Sequence, residues 1–297
     1  MSAATVRLAW ATDIHLDHAD PDRIMAFFHA LNECSCDRVL LGGDLANARS
    51  LAEDLATMSE VVTAPIHFVL GNHDYYGGSI SRVREVARGL GSSGLHWLPA
   101  EGCVELAPGV GLVGIGGWGD ARNGNHESSP VMLTDYFVIS DLVEVYDTEN
   151  GDMTFASQPA LKERLRALGR DAAAALRPHL HEAAGRFTQV VVLTHVPPFP
   201  EAAWHEGAHS SDDWLPGFSC GALGDELLVA ANKHPDTVFT VLCGHTHGEG
   251  SAEVRPNLVV HTQGAEYGAP GFLIISAGKN GVVTFRVNDD SGRLGPG

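Results

Sequence analysis

Val6-Arg7-Leu8-Ala9-Trp10-Ala11-Thr12 is a mostly apolar run that stops abruptly at Asp13-Ile14-His15. It lacks the strict alternation of a half-exposed strand and is too short for an independent helix, so it reads as a strand buried on both faces. The same form recurs four times. Arg38–Leu41 ends in Gly42-Gly43-Asp44, and Ile66–Leu70 ends in Gly71-Asn72-His73-Asp74. Val190–Thr194 ends in His195-Val196-Pro197, and Thr237–Cys243 ends in Gly244-His245-Thr246-His247. Helical stretches follow the first three runs: Asp20–Glu33, opening Asp-Pro-Asp, then Leu51–Val62, then Ser79–Leu90 with Ser79 as cap and Gly91 as stop. Strand–helix alternation predicts βαβ units and a largely parallel sheet. In such a sheet the strand carboxyl ends share one edge, where ligands bind.

The rest of the chain is less regular. Leu95–Leu98, Cys103–Leu106 and Gly111–Gly116 read as shorter strands, and Trp118–Ser157 as a long loop region with some local structure. Pro159–Arg186 is Ala-, Leu- and Arg-rich and reads as a helix that Pro178 breaks or restarts. Pro197–Cys220 reads as a loop and Gly224–Asn232 as a helix. Leu258–Thr262, Gly271–Ser276 and Val282–Val287 form an antiparallel pattern. The expectation is one domain over residues 1–288, with 289–297 as a flexible Gly/Pro/Ser-rich tail.

Composition narrows the function. The 297 residues include 19 Lys plus Arg and 37 Asp plus Glu, a formal charge of −18. That balance disfavours an extended nucleic acid as partner. No apolar run approaches the roughly 18–20 residues of a bilayer span. Met1 to Trp10 is too short and too weakly apolar for a signal peptide, so a cytoplasmic protein away from membranes is expected. Five cysteines, an odd number, argue against a disulfide framework. Cys34-x-Cys36 has no second pair to complete a zinc site.

The strand ends bring together Asp, Asn and His donors with no Cys among them, a set that suits divalent ions of intermediate hardness: Mn, Fe, Zn, Co or Ni. The donors exceed what one tetrahedral zinc needs and are about enough for two metals. Asp13/His15 and His245/His247 lie two apart, so an extended backbone points each pair to one side. The glycines before Asp44, Asn72 and His245 permit tight turns and close backbone approach.

In order, D-x-H, G-G-D, G-N-H-D, H and G-H-x-H closely resemble the motifs of the calcineurin-like metallophosphoesterases, and they span residues 13 to 247. The resemblance implies an α/β fold of two mixed β-sheets packed as a sandwich flanked by helices, with the metals at the strand C-terminal ends. It implies that Asp13, His15 and His247 hold one metal, that Asn72, His195 and His245 hold the other, and that Asp44 bridges. His73 is then the catalytic histidine that binds no metal, with Asp74 positioning it. Two metals about 3.5–4 Å apart lower the pKa of a bridging water, so the implied reaction is attack of that hydroxide on phosphorus. His73 would stabilise the developing charge or protonate the leaving oxygen.

Within that family, Gly43-Asp44 continues as Leu45-Ala46-Asn47-Ala48-Arg49. It departs from the G-D-x-V-D-R-G of protein Ser/Thr phosphatases and is more similar to bacterial cyclic-nucleotide phosphodiesterases. The substrate expected is a small or nucleotide-like phosphodiester. A phosphomonoesterase, a nuclease and a non-catalytic scaffold are the alternatives, the last requiring decayed ligands that this chain does not have. His15-Leu16-Asp17-His18 lacks the first histidine of the metallo-β-lactamase-like motif, so Asp17 and His18 are placed at most at the rim. His29, His67, His96, His179, His181, His234 and His261 match no motif. Trp118, Asp120, Arg122, Asn125 and His126, and Trp204, His205 and His209, lie on loops suited to substrate contact. Arg122 is a candidate for holding a phosphate or carboxylate, and Tyr75, Tyr76 and the tryptophans for stacking on a base or ring.

Overall fold

The computed structural model describes residues 5–143, 158–278 and 281–287. Four parallel strands begin the chain: β1 (Thr5–Ala11), β2 (Arg38–Leu41), β3 (Ile66–Phe68) and β4 (Leu95–Trp97). They are joined by α1 (Pro21–Glu33), α2 (Leu51–Val61) and α3 (Ile80–Gly89), and β4 runs on into the short α4 (Leu98–Glu101). Asp20 caps α1 by accepting from the Arg23 N–H, with Pro21 in the first turn, and Ser79 caps α3 through the Arg82 N–H.

A second sheet follows, from β5 (Val104–Ala107), β6 (Val110–Ile115) and, after a long excursion, β7 (Gln189–Thr194). The excursion holds α5 (Asp135–Val138), α6 (Ser140–Val143) and the 29-residue α7 (Gln158–Arg186). After β7 come a small hairpin, β8 (Trp204–His205) with β9 (Ala208–His209), then α8 (Leu215–Phe218) and α9 (Gly221–Lys233). The second sheet is completed by β10 (Val238–Cys243), β11 (Gly250–Arg255) and β12 (Leu258–Thr262). Finally β13 (Leu273–Gly278) and β14 (Gly281–Val287) return to the first sheet.

The two sheets are ordered β14-β13-β1-β2-β3-β4 and β11-β12-β10-β7-β6-β5. Each is mixed: the first is parallel from β1 to β4 and antiparallel at its β13-β14 end, the second parallel at its centre and antiparallel at both edges. Their inner faces meet in a core of Leu8, Trp10 and Leu40 against Leu112, Val191, Leu193 and Leu242. Ala9, Ala11, Val39 and Leu41 point the other way, onto a layer containing Phe28, Leu31, Leu55 and Met58 from α1 and α2. On the far side Val190, Val192, Phe239 and Val241 meet Leu176, Leu180, Leu223 and Leu227 from α7 and α9. Burial on both faces explains why these strands are apolar without alternation.

Three expectations are corrected. Pro178 lies within α7 and does not end it. Leu176 and Leu180 on either side are both buried, and that continuous packing outweighs the roughly 3 kcal/mol cost of an internal proline. Leu258–Thr262 is not part of a C-terminal antiparallel set: it lies parallel beside β10 and pairs antiparallel with β11, an edge strand the sequence reading missed. The Trp118–Ser157 and Pro197–Cys220 loops carry short helices and a hairpin; residues 144–157 of the former, and the 289–297 tail, lie outside the described residues. All five cysteines are free. No helix among the described residues is long and apolar enough to cross a membrane.

Candidate metal centre

The loops after the strands keep hydrogen-bonding to one another beyond the sheet. Asp13 N–H donates to the Gly43 carbonyl (2.9 Å), His15 N–H to that of Asp44 (3.0 Å) and Gly244 N–H to that of His195 (3.0 Å). Two contacts join the sheets at this edge. The His245 N–H donates to both Asp13 carboxylate oxygens (3.0 Å each), and His195 Nδ1 meets the Gly42 carbonyl at 3.0 Å. The chain is strained here. Eight described non-glycine residues have positive φ, and five of them are Asp13, His15, Asp44, His245 and His247. Such conformations persist where the surrounding contacts over-determine them. Close approach also demands glycine: a Cβ on Gly71 would collide with Asp44 Oδ1, and one on Gly244 with Asp13 Oδ2.

The side chains gather into two adjoining clusters. In the first, His15 Nε2 and His247 Nε2 lie 3.2 Å apart, His247 Nε2 is 3.5 Å from Asp13 Oδ1, and His15 Nε2 is 3.9 Å from Asp44 Oδ2. In the second, His195 Nε2 is 3.0 Å from Asn72 Oδ1, 3.2 Å from His245 Nδ1 and 3.3 Å from Asp44 Oδ1. Asp44 therefore gives one oxygen to each cluster. Asp13, His15, Asp44, Asn72, His195 and His245 are all buried.

The second cluster tests whether a cation fits. His195 Nδ1 faces the Gly42 carbonyl and His245 Nε2 faces the Gly217 carbonyl at 2.9 Å. A carbonyl only accepts, so those nitrogens carry the hydrogens, and in the neutral rings the other two are lone pairs. Asn72 is turned likewise: its Nδ2 donates to Asp135 Oδ1 at 2.9 Å, leaving Oδ1 toward His195. With both rings neutral, two ring lone pairs, an amide oxygen and a carboxylate oxygen thus converge. This is a cation's donor set, oxygen- and nitrogen-rich as intermediate divalent metals require.

The titration behaviour agrees. Burial would push Asp13 and Asp44 up, but the facing imidazoles, His195 foremost, hold both below the ordinary carboxylate value. Burial depresses His15 and His245 to about 4. Burial acts the same way on His195, where Asp44 and Asp13 outweigh it and hold the ring at about 9. A buried cluster in which one imidazole must take up a proton to balance carboxylates is one that a metal would discharge.

His73 and Asp74 play different parts. The half-buried His73 ring stacks on Tyr76 (centroids 4.1 Å apart), with Nε2 3.9 Å from Asp44 Oδ2. Asp74 is fully buried and accepts from the backbone N–H groups of Leu45 (2.8 Å), Ala46 (3.0 Å) and Gly71 (2.8 Å). It ties the Asp44 loop to the Asn72 loop and so places His73 through the backbone.

A cavity of about 250 Å³ opens over Asp44, Asn72, His73, His245 and His247. Tyr76, Thr134, Asp135 and His205 line it, as do Trp214 and Phe218 with Leu133 packed against them, and Tyr267, its ring 4.4 Å from that of His15. Asp135, Leu133, Trp214, Phe218 and Tyr267 were missed in the sequence. Asp135 accepts from the Tyr76 hydroxyl as well (2.7 Å). Of the loop candidates, His205 and Tyr76 line the cavity. Trp118 is core against Tyr75, Asp120 accepts from the Gly221 and Ala222 N–H groups at the start of α9, and Arg122 is paired with Asp225 at 2.6 Å. Trp204 and His209 stack on each other. Asp17 is held by Asn47, and His18 packs on Tyr267.

A two-sheet α/β sandwich with paired donor clusters at its strand ends defines a metal-dependent phosphoester hydrolase. Residues 6–249 match the calcineurin-like phosphoesterase family, and the chain belongs to it. No curated protein sequence matches the chain. Among solved structures, a dimetal phosphatase from Danio rerio is similar at 13% identity, covering 95% of this chain and 99% of that one, with a TM-score of 0.54. Phosphopantetheinyl hydrolase from Mycobacterium tuberculosis is similar at 12% identity over 97% and 98% of the two chains, with a TM-score of 0.60. The anchor in the inner membrane complex of Plasmodium is similar at 12% identity over 96% and 85%, with a TM-score of 0.51. At these identities the likeness is one of fold.

Proposed function

We propose that this phosphoester hydrolase is a phosphodiesterase acting on a small or nucleotide-like diester. The observation that carries the reading is the arrangement of the cavity. Its floor is the paired donor set, and aromatic rings border it on more than one side: Tyr76 beside His73, Phe218 beside His245, and Tyr267 beside His15 and His247. A phosphoryl group on that floor has ring surfaces beside it for two ester substituents.

Asp13, His15 and His247, with Asp44 Oδ2, would hold one divalent ion. Asn72, His195 and His245, with Asp44 Oδ1, would hold the other. Bound there, the two ions would supply Lewis-acid polarisation of the phosphoryl oxygen and a water acidified to near neutrality. The protein's own groups do the rest. Asp135 holds the Asn72 amide in its ligating orientation, and the Gly42 and Gly217 carbonyls hold His195 and His245 in theirs. His73 stands at the rim on its Tyr76 stack, where Nε2 would give a proton to the leaving oxygen as the P–O bond breaks.

The test is hydrolysis of bis-p-nitrophenyl phosphate against p-nitrophenyl phosphate by protein loaded with Mn, Fe, Ni or Zn. The diester should be the better substrate. Preference for the monoester would make the protein a phosphatase, and hydrolysis of neither would favour a scaffold.

A further inference from the structure

The walls of the cavity carry a selectivity that the metal donors do not. Among the described residues none of those lining it is Lys or Arg. The cations on the nearest loops are outside it: Arg122 is paired with Asp225, and Arg49 is not part of the lining. The stretch 144–157, EVYDTENGDMTFAS, contains no Lys or Arg in its sequence either. The walls are instead aromatic and apolar. Trp214 and Phe218 stack at 4.8 Å with their planes 28° apart, Leu133 packs into the same cluster, and Tyr76 and the half-exposed Tyr267 also line the space. The one wall charge is the buried carboxylate of Asp135. At about 250 Å³ the space sits just below the usual range for small-ligand sites.

We propose that the site takes esters with a single phosphoryl group on an uncharged, ring-bearing organic part, and rejects substrates carrying a second phosphate. The first phosphate is met by the donor-held cations on the floor. A second would leave water for walls that hold no Lys or Arg and one carboxylate, a desolvation and like-charge penalty with little compensation. Flat apolar rings match the aromatic walls. The inference rests on the phosphodiesterase reading for its choice of probe.

The test pairs thymidine 5′-(p-nitrophenyl phosphate) with its 3′-phosphorylated counterpart, following p-nitrophenolate release by the metal-loaded protein. The unphosphorylated ester should have a kcat/KM at least ~10-fold higher, since like-charge placement is strongly disfavoured. Thr134→Lys, an exposed cavity-lining position, should narrow that gap by improving only the 3′-phosphorylated ester. Equal turnover of the two, or preference for the second phosphate, overturns the inference. Turnover of p-nitrophenyl phosphate alone overturns the diesterase reading instead. The inference is then decided by competition in that reaction: thymidine 5′-phosphate should inhibit more strongly than thymidine 3′,5′-bisphosphate, and the reverse order sinks it.

Discussion

His195 and His245 each give one ring nitrogen to a backbone carbonyl, and that leaves the other nitrogen turned to the cluster, where it could meet a cation. The same logic makes Asp135 matter without touching a metal: it sets which end of the Asn72 amide faces the donors. Asp135→Ala should weaken metal binding about 10- to 100-fold, the usual cost of losing an outer hydrogen bond to a ligand, while Asp135→Asn restores part of it. Calorimetric titration of the apo protein with Mn or Zn measures this, and unchanged affinity in Asp135→Ala would show the amide needs no brace. His73 differs in kind. His73→Ala should bind both ions and retain its fold but lose about 10²- to 10⁴-fold in kcat, the range for a lost general acid. Asp44→Asn should lose ions and turnover together. Metal content measured beside steady-state rates separates the two variants, and full activity in His73→Ala would remove it from the chemistry.

Individual elements carry costs that can be relieved. His67 lies buried on β3, stacked on His96 of β4, with neither ring nitrogen hydrogen-bonded. Burial, helped by the nearby His96 ring and the Arg38 guanidinium, lowers it from 6.5 to about 4. Between those values the unfolded chain binds a proton that the folded one does not, so stability contributed by neutral His67 falls as pH drops from 6.5 toward 4. His67→Leu should remove that part of the acid loss, of order 2–3 kcal/mol, with no penalty at neutral pH. Urea melts of both proteins at pH 4.5 and 7.5 read the difference, and parallel pH profiles would refute it. On α7, Pro178→Ala should restore a helix hydrogen bond and stabilise by about 1–3 kcal/mol. How far the elements were legible follows the same physics. The parallel strands and their terminal ligands stood out because burial on both faces writes a continuous apolar run, and each run stops at a polar motif. β11 did not, because its GSAEVR alternates in exposure along a sheet edge and resembles a loop. Pro178 misled because local propensity ignores the buried face that carries α7 across it. Asp135, Trp214 and Tyr267 were invisible because loop paths, which have no periodicity, bring them to the cavity.

At the scale of the whole molecule, the centre is a seam. Asp13, His15, Asp44, Asn72 and His73 come from the first sheet, and His195, His245 and His247 from the second. Without ions, the seam buries two carboxylates that only the facing imidazoles balance, in a chain whose formal charge is already −18. Two divalent ions would add about four positive charges at that one edge, which lets an acidic protein attract a small anionic ester while still repelling an extended polyanion. Ions bound there would hold the two sheets together as well as serve the chemistry. Each ion at 100 times its dissociation constant should add about 2.7 kcal/mol to the folded state. Differential scanning fluorimetry should therefore show a chelator-treated protein melting several degrees lower and recovering with Mn or Zn. Asp44→Asn should melt low under both conditions, because the oxygen shared between the clusters is lost. A melting temperature indifferent to chelator and metal would mean that the sheets are joined by the Leu8, Trp10 and Leu193 core alone, and that the seam is not a metal centre.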